Sequence, residues 1–169
     1  MIGIREVAED TVREVGAKVL ASGQFQEADL QTHHGLTTVA RHSFRVACIC
    51  YLICRFLYVV FKIRTNWQLL ILCALLHDIG IMGRELKYKN NRQCCRLHPK
   101  DSVAIAQDIL GELDDTGRDI IEHHMWPMTI VPPHTIEGFI ITIADKYSAM
   151  TDFLPANRRP MLLEGLGSL

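Results

Sequence analysis

Apolar positions along this chain recur at intervals of three and four far more than at intervals of two, which predicts helices almost throughout. Ile4, Val7, Ala8, Val12, Val15, Val19 and Leu20 share one face of a first helix over 4–22, and a polar stretch from Ser22 to Thr38 reads as a loop. A second helix begins near Thr38 and runs to about Phe61. Its segment Val46–Phe61 is apolar enough to be buried on most of its circumference. Thr65-Asn66 offers an N-cap for a third helix over 67–78, which Gly80 would stop. Residues 81–97 are polar and basic and read as loop or frayed helix. Pro99 suits the first position of a fourth helix, 99–111, with Asp101 favouring its N-terminal end. A fifth helix, 115–124, ends at His123-His124. The stretch from Trp126 to His134, with Pro127, Pro132 and Pro133, cannot be regular helix. A sixth covers 135–152. The expectation is one all-α domain of about six helices over 1–169, with an N-terminal helix (4–22), a core (38–152) and a tail (155–169) lacking periodic pattern.

Composition narrows this picture. A chain of 169 residues forms one domain that buries roughly two thirds of its unfolded surface. The net charge of −1 speaks against a duplex nucleic-acid binder, which must neutralise many phosphates. The six cysteines (48, 50, 54, 73, 94 and 95) sit mainly in apolar helical segments and form no C-x-x-C framework. They read as reduced core residues of a cytoplasmic protein. The N-terminus, MIGIREVAEDTVREV, is charged and amphipathic rather than a signal peptide. The apolar run from Val46 to Phe61 is short for a bilayer and carries Arg55, so no membrane is expected. Part of that run is apolar enough to face a second copy of the chain, giving a homo-oligomer, although a buried core explains it equally well.

Candidate chemistry changes the picture most. The pair His77-Asp78 closes the apolar segment WQLLILCALL, and further His and Asp residues recur on both sides: His42, His98, His123-His124 and Asp145. Imidazole and carboxylate are the ligands that Fe, Mn, Ni and Co take from proteins. Burying them beside Leu and Ile is costly unless a metal or a partner satisfies them. The order H…HD…H…H…D, with the strings LLHDIG and HMWP, resembles the HD-domain metal-dependent phosphohydrolases, in particular a small stand-alone bacterial branch. The likeness covers roughly residues 30–155.

That resemblance implies an all-α HD fold and two divalent transition-metal ions, with Asp78 bridging them. One ion would take His42, His77, Asp78 and Asp145, and the second Asp78, His98 and one of His123 and His124. The HMWP branch has its ligand at the position of His124, whereas HD-GYP relatives use both positions. The GYP string is absent and Ile81 stands where those relatives carry Lys, which weighs against a cyclic-di-GMP phosphodiesterase of that type. Two ions sharing a carboxylate sit about 3.5–4 Å apart and clamp a phosphate. The implied activity is hydrolysis of a phosphomonoester or phosphodiester, a nucleotide foremost, through a metal-bridging hydroxide, with Asp78 and Lys146 as catalytic residues.

Several residues are candidates for substrate contact. Arg84, Lys87, Lys89, Arg92, Arg96 and Lys100 face only Glu85 in charge over 84–100, and read either as a positive rim for a phosphate or as a solvated loop. Lys146 follows a candidate ligand and could reach a phosphate. His33-His34 could form a lid, and Trp126 could stack on a base or simply pack. Two other readings share the ligand set: a diiron oxygenase of HD type, and a non-catalytic HD module that binds metal or nucleotide.

Overall fold

The computed structural model describes residues 3–33 and 37–152 and, of His33 and Asp152, the backbone alone. His34 and the tail therefore lie outside the described residues. The architecture is all-α. The helices are α1 (Ile4–Val15), α2 (Ala17–Leu20), α3 (Gly23–Glu27), α4 (Val39–Phe61), α5 (Trp67–Leu76), α6 (Arg84–Lys87), α7 (Asn91–Leu110), α8 (Asp115–Glu122) and α9 (Ile136–Asp152). One two-residue pairing, β1 (Thr32–His33) with β2 (Thr37–Thr38), precedes α4.

Two stretches differ from the periodic pattern. The first predicted helix is broken at Gly16, because α1 packs so closely on α5 there that a Cβ would run into Leu75. Ser22 then caps a separate turn, its hydroxyl accepting from Phe25 N–H at 3.3 Å. The second difference lies at 81–97, where the expected loop contains α6 and the start of α7. Asn90 begins α7, its side chain accepting from Gln93 N–H at 2.9 Å. Pro99 is thus inside the helix rather than at its first position. It costs one donor to the Cys95 carbonyl, but α7 continues.

Helix α4 runs through the middle of the domain, with α5 and α9 packed on it. Thr38 caps it, accepting from Arg41 N–H at 3.2 Å. From Val39 to Cys50 every residue except Arg41 is buried. Beyond Arg55 the same helix is apolar but exposed, at Phe56, Val59, Val60 and Phe61. It is longer than the sixteen-residue run suggests, and by length and composition alone it is suited to cross a membrane. Phe44, Leu70, Ile71, Leu75, Leu76, Ile120, Ile121 and Ile141 are fully buried around it, each contributing about 1.5–3 kcal/mol of transfer free energy. The cysteines are free thiols. Burial pushes Cys48 up to about 12 and raises Cys50 and Cys73 as well, so these sulfurs stay protonated and unreactive.

Candidate metal centre

Three helix ends and two helix interiors deliver the site. His42 stands in the first turns of α4, one turn past its Thr38 cap. His77 ends α5 in helical geometry, but Asp78 leaves it, with φ −105° and ψ 2°, to start a 3-10 turn over Ile79–Ile81. Successive residues on a helix point about 100° apart, and this exit from the helix is what lets both face one centre. The turn presses on α7: Gly80 N–H donates to Ser102 Oγ at 2.9 Å. A Cβ on Gly80 would collide with the His98 carbonyl. Hence only glycine allows the approach that brings Asp78 to His98. His124 lies just past the end of α8, and Asp145 sits midway along α9.

The result is a buried cluster in which Asp78 divides its oxygens between two groups. Oδ2 faces His77 Nε2 at 3.4 Å and His42 Nε2 at 3.7 Å. Oδ1 faces His98 Nε2 at 3.1 Å and His124 Nε2 at 3.4 Å. Asp145 Oδ1 completes the first group, 2.9 Å from His42 Nε2. Donor atoms of His42, His77, Asp78 and Asp145 lie within 4.8 Å of one another, as do those of Asp78, His98 and His124. His42, His77 and His124 are wholly inaccessible to solvent.

Hydrogen bonding fixes the ring tautomers. Nδ1 of His77, His98 and His124 sits 2.8, 2.9 and 2.7 Å from the carbonyls of Ala74, Cys94 and Ile121. Each Nδ1 must therefore carry the proton, which leaves a lone pair on each Nε2. His98 and His124 then point these lone pairs at each other across 3.1 Å. His77 Nε2 is buried with no hydrogen-bond partner among the described residues, while carboxylate oxygens stand at 3.4 and 3.7 Å. Lone pairs converging in a dry interior repel one another unless a cation lies between them. A nitrogen and oxygen donor set without thiolate suits Mn, Fe, Co, Ni or Zn. The residues present thus fit a divalent metal.

The electrostatics agree. Burial works against ionising Asp145, yet the hydrogen bond with His42 and the nearby imidazole of His77 hold its carboxyl well below the ordinary range. Burial pushes His124 down to about 4, helped by the nearby His77 and His98. His98, although buried, is raised to about 9 by Asp78, and His77 is raised by Asp78 and Asp145 against its own burial. The carboxylates concentrate negative potential on the Nε2 side of His77 and His98, where a cation, a proton or a metal ion, is favoured.

A supporting layer surrounds the ligand-type residues. Ser148 Oγ lies 3.4 Å from His42 Nδ1 and accepts from Arg45 Nε at 2.8 Å. Lys146 Nζ donates to the His124 carbonyl at 2.9 Å and to Asp145 Oδ2 at 3.2 Å. The sequence reading missed Arg45 and Ser148. Each stands three residues after a ligand-type residue on the same helix, the spacing at which side chains meet, and that was the available signal.

The remaining sequence candidates fall elsewhere. His123, adjacent to His124, turns away: its Nδ1 sits 2.8 Å from Asp119 Oδ1, beside His134 Nδ1, 2.7 Å from the same oxygen. Trp126 packs edge-on against Phe139, with ring centroids 5.9 Å apart. Arg84 binds Asn91 Oδ1 at 2.7 Å and lines a separate depression with Tyr88 and Lys89, and Lys87 is exposed on α6. Neither stands at the cluster. The lid reading rests on His34 and the His33 side chain, which lie outside the described residues.

Fold and site together define a helical domain built around a buried His/Asp cluster of metal-binding type. The family model described as the HD domain matches residues 39–150, well over half the chain, and the protein belongs to the HD-domain family, a superfamily of metal-dependent phosphohydrolases. No curated protein and no solved structure matches it significantly.

Proposed function

We propose that this chain is a metal-dependent phosphohydrolase that acts on a phosphomonoester or phosphodiester, a nucleotide foremost, with Asp78 shared between two divalent ions. The observation that carries the reading is the division of the Asp78 oxygens between two buried groups of imidazoles, three of which (His77, His98 and His124) spend Nδ1–H on backbone carbonyls and aim Nε2 at the centre. His42, His77 and Asp145 would hold one ion with Asp78, and His98 and His124 the other. Bound divalent ions supply Lewis acidity toward a phosphoryl oxygen and lower the pKa of a coordinated water to near neutrality.

The protein's own contribution is orientation. Backbone carbonyls fix three rings in the Nδ1–H tautomer, so each arrives with its ligating atom already aimed. Ser148 and Arg45 steady His42, and Lys146 ties Asp145 to the end of α8. Its committed ammonium supports a positioning role for Lys146 more than the direct phosphate contact suggested by sequence. No thiol or hydroxyl nucleophile is needed, since Cys73 is buried and protonated.

Elemental analysis of protein purified without a chelating tag, beside a His77→Ala, Asp78→Ala variant, tests the reading. About two ions per chain, lost in the variant, together with Mn-, Ni- or Fe-dependent phosphoester hydrolysis, is the expected result. Iron accompanied by oxygen consumption and no hydrolysis would replace it with oxygenase chemistry. Metal without turnover of any phosphoester would leave a binding module.

A further inference from the structure

The last turns of α4 leave the body of the domain. Residues 55, 56 and 58–64 are all exposed, so the helix end is bare on nearly every side. Yet it is apolar: Phe56, Tyr58, Val59, Val60, Phe61 and Ile63 expose between 38% and 60% of their surfaces. Exposed apolar side chains grouped in this way mark an interaction surface rather than a solvated helix end. The projection is held at both sides. Cys54 is buried at its base. Lys62, with φ 60°, ends the helix in a left-handed turn, and Asn66 N–H donates to Glu137 Oε1 at 2.7 Å, tying the returning chain to α9. From Arg55 to Phe61 the helix rises about 10 Å, a length that matches the headgroup and acyl boundary of a bilayer.

Charge selects the occupant. Arg55, Lys62 and Arg64 stand among these apolar residues, and residues 30–77 contain no Asp and no Glu. None of the three cations forms an ion pair among the described residues. Arg55 and Arg64 also line one cleft of about 370 Å3 at the base of the projection, with Tyr51, Tyr58 and Trp67. That is the size of a small-molecule site, and two guanidinium groups beside aromatic rings suit a phosphate headgroup. A second copy of the chain fits this surface poorly, because two such faces meet cation to cation with no carboxylate to pair. A bilayer with anionic lipid meets both requirements. It takes Phe and Val side chains into its boundary, keeps Tyr and Trp at headgroup level, and attracts Lys and Arg to its surface.

Spanning is a different matter. Helix α4 is long and apolar enough to cross a bilayer, but its first half is packed in the core and carries His42, so only the free end is available. The sequence expectation of no membrane weighed spanning alone. We propose that the exposed end of α4, with the turn that follows it, docks the folded domain on the surface of a membrane rich in anionic lipid, without spanning it. The inference stands independently of the phosphohydrolase reading.

Co-flotation of the full, metal-loaded chain with vesicles tests it, using phosphatidylcholine alone and phosphatidylcholine with about one third phosphatidylserine. The native chain is expected to bind the mixed vesicles at least about ten-fold more tightly than the neutral ones, and to leave them as salt rises. The triple variant Arg55→Gln, Lys62→Gln, Arg64→Gln is expected to bind the mixed vesicles about 100-fold more weakly, since each such cation adds about five-fold. The triple variant Val59→Ser, Val60→Ser, Phe61→Ser is expected to lose at least about ten-fold through its apolar surface. Metal content is expected to match the native value in both, because none of the six positions belongs to the buried cluster. The charge variant alters only solvent-facing side chains, so it decides the matter even where the serine variant fails to fold. A native chain that floats with neither vesicle, or a charge variant that binds mixed vesicles as well as the native chain, overturns the proposal. So does a native dimer, seen by light scattering, that the serine variant separates while neither chain binds vesicles: the surface then belongs to a second copy.

Discussion

Two His/Asp clusters lie side by side in this protein, joined by the adjacent residues His123 and His124, and they are made for different ends. Around Asp78 the imidazoles are buried, and those of His77, His98 and His124 spend their Nδ1 protons on backbone carbonyls and turn their Nε2 lone pairs inward. Around Asp119 the carboxylate oxygens are saturated with donors: His123 Nδ1, the backbone N–H and Nδ1 of His134, and the backbone N–H and Oγ1 of Thr135. His134 in that cluster is mostly exposed. Both groups have donor atoms close enough for a metal. Residue type and proximity therefore do not separate a metal centre from a loop clasp. What separates them is whether the lone pairs are already satisfied.

The sharpest way to break the comparison is to delete each carboxylate. Asp78→Ala removes the oxygen pair common to both halves of the buried cluster. Metal content by elemental analysis is expected to fall below half of the native value, and phosphoester turnover by about 10³-fold or more, the scale on which lost electrostatic stabilisation acts. Asp119→Ala should leave metal content unchanged in the folded protein. It strips acceptors from the His134 and Thr135 amides, each worth about 1–3 kcal/mol when left unpaired. A loss of about 3 kcal/mol corresponds to about 6–12 °C in Tm for a domain of this size, readable by calorimetry. Loss of metal in Asp119→Ala together with an unchanged Tm would reverse the two roles.

Smaller effects sharpen the contrast. Ser148→Ala removes the hydroxyl that links Arg45 to His42, and metal affinity is expected to weaken by about 10–100-fold, as for other outer partners of ligating histidines. The paired variants His123→Ala and His124→Ala make the same point within two adjacent residues. The second should release metal, and the first should retain it while destabilising the proline-rich stretch. Equal metal loss in both would place His123 in the centre despite its contact with Asp119.

The sequence carried most of the buried cluster and little of the clasp. His42, His77-Asp78, His98 and Asp145 were legible because ionisable side chains stood at the ends or inner faces of apolar helices, and the resemblance to HD proteins ordered them into one set. The choice between His123 and His124 stayed open in the residues themselves, because past the end of α8 the 100° rule no longer says which neighbour points inward. Asp119, four residues before His123 on the same helix, held the answer as an i, i+4 partner. Pro99 was read as a helix start because its missing donor is harmless there. The stronger signal was Asn90, an N-cap nine residues before it. The break at Gly16 depended on Leu75, far away in sequence, and no local pattern shows such a contact.

The weakest expected difference between the clusters is in acid. Burial opposes ionisation of Asp119, but hydrogen bonds from His134, Thr135 and His123 outweigh it and hold the carboxyl below its ordinary value of 3.8. The folded state therefore releases that proton more readily than the unfolded state does. The stabilisation is complete above 3.8 and disappears as the pH falls through the lower native value. Asp119→Asn keeps one acceptor but cannot ionise, so it should be less stable than the native chain at neutral pH, with the gap closing as the solution becomes strongly acidic. Measuring the difference in unfolding free energy between the two chains, rather than either alone, cancels the protonation of the buried imidazoles to first order, because both chains share it. A gap that stays constant down through the acidic range would mean that Asp119 is not held ionised by the clasp. The saturated lone pairs that distinguish it from Asp78 would then not be its controlling feature.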